Sequence, residues 1–237
     1  MTNKASSDSF RKVMLELTLL WLFTNLLIRA VLWAEGTFGL HEAVLALVPC
    51  LFIYAPVVLC HLRGVDSYDY PLWVPRLTDF KAWGRAFWTA TRFFALLLVP
   101  WLLIYHLSQT LFMGNGLQPS FPDGFGQLVA FHVFFVAIPE EFFYRGYFQT
   151  RLNEVCEKKA VLGGTQYGAS LWITSLFFAF GHSLVMVQWW HFSIFFPGLL
   201  FGYLRERTGG VLAAAFLHAF CNIGVKVLEA LYGVRAA

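Results

Sequence analysis

Long apolar runs separated by short polar stretches fill this chain from Val13 onward. A helix crossing the bilayer needs about 20 mostly apolar residues. Segments of that kind fall near 13–33, 43–62, 92–113, 126–148, 168–188, 191–205 and 209–232. The sixth is short and carries Pro197 and Gly198, so it is expected to be tilted, kinked or only partly spanning. Pro49, Pro56 and Pro100 are tolerable inside spans, because neighbouring helices can satisfy the carbonyls they free. The first segment exceeds the roughly 7–15 apolar residues of a signal peptide and is expected to stay as a helix. Residues 63–91 begin as a loop with Asp66, Asp69, Pro71 and Pro75. From Leu77 to Trp88 they mix Lys81 and Arg85 with Phe80, Trp83, Phe87 and Trp88. That mixture predicts an amphipathic helix lying in the membrane interface.

Composition supports the pattern. The chain of 237 residues is 58% hydrophobic and 13% charged, against about 25% charged in soluble domains. So few charges cannot cover so much apolar surface in water. The reading is an all-α polytopic membrane protein, a single integral membrane domain over residues 1–237. No internal repeat or low-complexity tract interrupts it. The net charge of +3 comes from dispersed residues with no dense basic tract, so nucleic acid is not an expected partner. Cys50, Cys60, Cys156 and Cys221 have neither metal-site nor disulfide-framework spacing. With the N-terminus in the cytoplasm, 14 of the 17 basic residues fall on that side, leaving Arg29, Lys226 and Arg235. The positive-inside rule therefore sets the orientation.

Against this background, three polar groups stand inside apolar segments: Glu140-Glu141-x-x-x-Arg145, His182, and His218-x-x-x-Asn222. A charge at the bilayer centre costs roughly 2.5–3.5 kcal/mol on insertion scales, so such residues mark function by default. At ~1.5 Å per residue, Glu140 lies ~15 Å from Thr150, His182 ~18 Å from Gly168 and His218 ~14 Å from Gly209. Three helices entering from one side carry these groups to a common level. Glu141 and Arg145 have the four-residue spacing of a helical ion pair, which points to mutual neutralisation and leaves Glu140 to face the bundle. His218 and Asn222 share a helix face. Gly181 and Ser183 flank His182 and allow close helix approach, as Gly198-x-x-x-Gly202 does in the sixth segment.

These three motifs, in this order and with Phe178-x-x-x-His182 as the second, resemble the CPBP (Abi) family of intramembrane proteases. That family includes prenyl-protein CAAX endopeptidases and bacteriocin-processing relatives. The resemblance covers residues 140–222. It implies an eight-helix or similar all-α membrane core opening to the cytosol. With the apolar segments above, the expectation is a bundle of about seven or eight transmembrane helices whose motif-bearing catalytic core is at about 126–232. It also implies that Glu140 activates water with help from His182, while His218 and Asn222 stabilise the oxyanion. Phe178 matches the motif but offers packing alone.

The chemistry agrees, since peptide hydrolysis needs a base for water and donors for the developing oxyanion. No cofactor is favoured. Zinc held by Glu140, His182 and His218 is the mechanistic rival, because two imidazoles and a carboxylate leave a fourth position open; no His-Glu-x-x-His is present. His106 and His132 are read as core residues, and His41, His61 and His191 as interfacial ones. The expected activity is endopeptidase cleavage of a membrane-anchored protein or peptide, such as a leader peptide or C-terminal anchor, in a bacterial inner (plasma) membrane. The alternatives are a proton-coupled transporter, which would favour paired broken-helix repeats, and a non-catalytic scaffold or immunity protein.

Overall fold

The computed structural model describes residues 2–70, 75–76, 78–118 and 120–234. They form seven helices: α1 (Thr2–Phe38), α2 (Glu42–Leu62), α3 (Phe80–Phe112), α4 (Phe125–Asn153), α5 (Ala169–Val185), α6 (Phe195–Thr208) and α7 (Leu212–Leu231). The lipid-spanning count is a correction. Five helices, α1–α4 and α7, are long and apolar enough to cross a membrane, not seven or eight. At 1.5 Å per residue, the 17 residues of α5 reach only ~26 Å and the 14 of α6 only ~21 Å, short of a ~30 Å core.

The separate interfacial helix is also corrected. Leu77 lies outside the described residues, and residues 80–88 are the opening turns of α3, which runs on to Phe112 without a break. No proline interrupts the pattern until Pro100, so nothing stops a helix that begins at the Asp79 cap. There the Asp79 carboxylate accepts from the Ala82 N–H at 3.0 Å. One element was not expected. Strands β1 (Ala160–Leu162) and β2 (Thr165–Tyr167) pair antiparallel, with Ala160 opposite Tyr167 and Leu162 opposite Thr165. Their two-residue loop is Gly163-Gly164, both at positive φ (+54° and +77°), the conformation a tight hairpin requires.

The central element is α4, whose residues Phe142 to Gln149 are all buried. It packs against α2, α5, α6 and α7, while α1 covers α2 and α5, and α3 lies along α7. Peripheral helices show the reverse pattern to a soluble protein. Leu96 (75% exposed) and Val99 (72%) on α3 point away from the bundle, as lipid-facing residues do. Inside, a buried polar side chain of α4 meets a glycine of α6 twice. The Arg145 Nη2–H donates to the Gly198 carbonyl at 2.8 Å, and the Gln149 side-chain amide donates to the Gly202 carbonyl at 3.0 Å. The glycine pair is thus the crossing point of α4 and α6.

One end of the bundle is tied by charge. Glu16 of α1 accepts from the Tyr147 hydroxyl (2.7 Å) and the Arg151 Nε (3.2 Å), and Arg63 reaches the Tyr147 oxygen at 3.2 Å. Glu206 of α6 binds Lys158, Gln149, Asn153 and Arg205. The basic residues Arg63, Arg151, Lys158, Arg205 and Arg207 therefore gather at the same end as the start of α1.

Candidate active site

The backbone of α4 is irregular on both sides of its two carboxylates. Residues Phe131–Ala137 and Phe142–Gln149 are π-helical, and the short α-helical link Ile138–Glu141 contains Pro139. Proline has no N–H to return to the preceding turn, and widened turns of this kind are common at functional sites. Pro139 thus places Glu140 and Glu141 between two widened turns.

Glu141 and Arg145 form the expected ion pair, 3.2 Å from Oε2 to Nε with both side chains 0% exposed. The guanidinium also lies 4.4 Å from the centre of the Phe178 ring and 5.5 Å from that of Phe201. A charge this deep persists because carboxylate, carbonyl and ring faces surround it. The other oxygen of Glu141 has a partner that spacing did not reveal, His218, whose Nδ1 lies 3.0 Å from Oε1. With Nδ1–H donating to the carboxylate, the second ring nitrogen of His218 is left for the cavity beside it. The imidazole is clamped flat, stacked on Phe201 (4.9 Å, 14°) and met by the edge of Phe178 (5.6 Å, 89°).

His182 has the complementary arrangement. Its Nδ1 lies 2.9 Å from the Phe178 carbonyl one turn earlier, so Nδ1–H donates and Nε2 faces Glu140, 3.8 Å from Oε2. The Phe178 ring touches His182, His218, Arg145 and Tyr144. The packing role given to this residue is therefore packing of the site itself.

Two cavities meet at this point. The larger, about 530 Å³, lies between α3, α6 and α7; it is walled by apolar residues such as Trp101, Pro197 and Leu200 and carries His182, His218 and Asn222. The smaller, about 220 Å³, lies between α1, α2, α4 and α5 and carries Asn25, Glu140, Tyr144, His182 and His191. His182 is the one described side chain on both walls. The structure thus brings Glu140 to His182, and His218 to Asn222, on opposite sides of a shared imidazole.

Both sets of lining residues run from mid-bundle toward the α5–α6 connection. The expected opening on the basic, N-terminal side is therefore not where the cavity walls lie. His191, read as interfacial, sits 6.0 Å from the His182 ring. Asn25 and Tyr144 were not singled out from sequence. Tyr144 carried a usable signal, since it follows Glu140 by four residues on one helix face.

Zinc was tested against these residues. Among the described residues, no group of three His, Cys, Asp or Glu side chains is arranged to hold a metal ion. His218 turns Nδ1 to Glu141, and Glu140 with His182 supplies two donors, so the residues do not fit the three-ligand zinc site weighed as the rival.

Five candidate membrane spans mark this helical bundle as an integral membrane protein, and two carboxylate–imidazole pairs lie within its core. Residues 123–224 match the family described as Type II CAAX prenyl endopeptidase Rce1-like, and over that stretch the chain carries a domain of this peptidase family. The matched stretch includes every residue from Glu140 to Asn222 discussed above. No curated protein and no solved structure matches the chain. Membership of a peptidase family implies protein or peptide substrates.

Proposed function

We propose that this protein is an intramembrane endopeptidase in which Glu140 activates the hydrolytic water. The observation that carries the reading is the placement of Glu140 beside His182, 3.8 Å apart and within the bundle. Glu140 takes a proton from water as the water oxygen bonds to the scissile carbonyl carbon. The tetrahedral oxyanion forms toward His218 and Asn222 on the wall of the larger cavity. As a donor there, His218 must carry a proton on Nε2 as well as the Nδ1 proton that it gives to the Glu141 carboxylate. Collapse breaks the C–N bond, and the proton held by Glu140 passes to the leaving amine, directly or through His182.

The apolar walls of the larger cavity suit a membrane-embedded segment, so the substrate is a membrane-anchored protein or peptide carrying a leader or C-terminal anchor. Gathering of basic residues at the end where α1 begins supports a cytoplasmic N-terminus in a plasma (inner) membrane. The cavities then lie at mid-bilayer and toward the outer leaflet. The test is to replace Glu140 with Gln in cells and compare the termini of membrane proteins with wild type by mass spectrometry. A defined set of proteins keeping a segment that wild type removes is the expected result. Matching profiles from a folded, expressed variant would overturn the reading.

A further inference from the structure

We propose that water and peptide reach His182 from opposite sides, water through the smaller cavity, and that Tyr144 is a positioning residue holding that water against Glu140. This rests on the proteolytic reading above. The Oε2 atom of Glu140 is buried and has no hydrogen-bond partner among the described residues. A buried carboxylate oxygen is costly to leave in that state, and its 3.8 Å separation from His182 Nε2 is too long for a direct hydrogen bond, so a water beside the pair, in the smaller cavity, can serve both. The cavity on that side has the room and the lining that buried water needs. Its volume of about 220 Å³ corresponds to several waters at ~30 Å³ each, and its polar groups supply partners. The larger cavity is walled chiefly by apolar side chains and suits peptide.

Tyr144 is fixed with unusual tightness for a hydroxyl at membrane depth. It lies one helical turn beyond Glu140, is 1% exposed, and lines the same cavity. Its hydroxyl occupies the notch left by Gly181, the residue before His182, where a Cβ would collide with it. The same missing Cβ would lie 3.1 Å from Asn25 Oδ1 and 3.2 Å from Trp21 Nε1, so these polar groups converge there. Trp21 in turn donates to the Phe177 carbonyl (2.9 Å), and the Asn25 amide donates to the Trp21 carbonyl (2.8 Å). Helix α1 is thereby tied to α5 at the level of the reacting groups. Helices α1, α4 and α5 thus hold one hydroxyl in the cavity that Glu140 also lines.

Two measurements test the proposal. In the first, the wild-type protein in lipid nanodiscs is exposed to hydroxyl radicals generated from water, and modified residues are located by mass spectrometry. Tyr144 is expected to be oxidised despite its burial, because water lies against it, while Phe148, 0% exposed on the same helix, stays unmodified. Absence of label on Tyr144 overturns the water route. In the second, a peptide spanning a terminus retained in the Glu140→Gln cells serves as substrate for Tyr144→Phe. Loss of at least tenfold in kcat at unchanged KM and melting temperature is expected. Wild-type turnover by Tyr144→Phe, or a loss carried by KM, overturns the positioning role while Glu140→Gln remains inactive. Cleavage by Glu140→Gln itself would instead remove the proteolytic reading.

Discussion

Glu141 and His218, 77 residues apart in the chain, are joined by a 3.0 Å hydrogen bond between Oε1 and Nδ1. The bond changes what the ion pair on α4 is for. Glu141 compensates the buried charge of Arg145 with one oxygen and orients an imidazole of the cavity with the other. A carboxylate in that position fixes the orientation of the ring and keeps a proton on Nδ1. Glu141 and Arg145 of the Glu-Glu-x-x-x-Arg motif are therefore a structural unit that is joined to the cavity wall through His218.

These two roles separate by mutation. Glu141→Ala leaves Arg145 uncompensated in the core, which costs about 3–5 kcal/mol, and is expected to lower the melting temperature sharply. Glu141→Gln keeps an acceptor for His218 and nearly the same volume while removing the charge. It also leaves Arg145 without a counter-charge, so it is expected to lose stability, though less than Glu141→Ala because the amide fills the space and can accept a hydrogen bond. It is expected to cleave about 10–100-fold more slowly, as is typical when a carboxylate that orients a functional histidine is removed. Melting curves and cleavage rates on both variants check this. Equal stability and full activity of Glu141→Gln would show that His218 works without the carboxylate's charge.

The crossing of α4 and α6 sets a second expectation. A Cβ at Gly198 would lie 3.3 Å from the Phe178 ring and 3.4 Å from Arg145 Nη2, tight but close to ordinary contact. Gly198→Ala is therefore expected to fold with a modest loss of stability, whereas Gly198→Leu has no room beside two rigid neighbours and costs at least ~1–3 kcal/mol. Thermal unfolding of the two variants in detergent gives the comparison. A Leu variant as stable as wild type would mean that the helices do not approach as described.

Local relationships were legible in the sequence and distant ones were not. The Glu141–Arg145 pair, the small residue before His182 and the shared face of His218 and Asn222 all follow from helical spacing, and apolar run lengths placed all seven helices. What failed was whatever depends on neighbours. Residues 80–88 read as an interfacial helix because their composition is amphipathic, yet α3 continues through them because nothing breaks it. Segments near 168–188 and 191–205 read as spans because they are apolar, although α5 and α6 are too short. The Glu141–His218 bond depends on how α7 docks against α4, which spacing along either helix does not reveal. The Gly163-Gly164 hairpin was not read from the sequence, although two adjacent glycines are a turn signal; its strands are held by Tyr203 donating to the Leu162 carbonyl at 2.9 Å.

The larger cavity, proposed above to take peptide, has a wall that can be moved. A Cβ at Gly224 would lie 2.6 Å from Trp101, so even Gly224→Ala must displace the indole. Trp101 lines both the cavity that carries His218 and a second apolar groove between α3 and α7. Its displacement therefore changes the shape available to peptide without touching Glu140 or His182. Gly224→Ala is expected to raise KM several-fold with a smaller change in kcat, and Trp101→Ala in the same chain to restore KM, since residues in contact do not act additively. Steady-state kinetics on the single and double variants decide it; a loss confined to kcat would place Trp101 in contact with the reacting groups.

Metal removal tests the donor set directly. Glu140 and His182 supply two donors, His218 has committed Nδ1 to Glu141, and no third ligand completes a site among the described residues. A catalytic zinc takes three protein ligands and one open position, a requirement this arrangement does not meet. Cleavage is therefore expected to survive prolonged dialysis against a chelator, with no gain on adding zinc. Loss of activity that zinc alone restores would require His182 and His218 to turn toward Glu140, breaking the 3.0 Å bond to Glu141. In that event, Glu141→Gln would be expected to strengthen metal binding, because the competing carboxylate is gone.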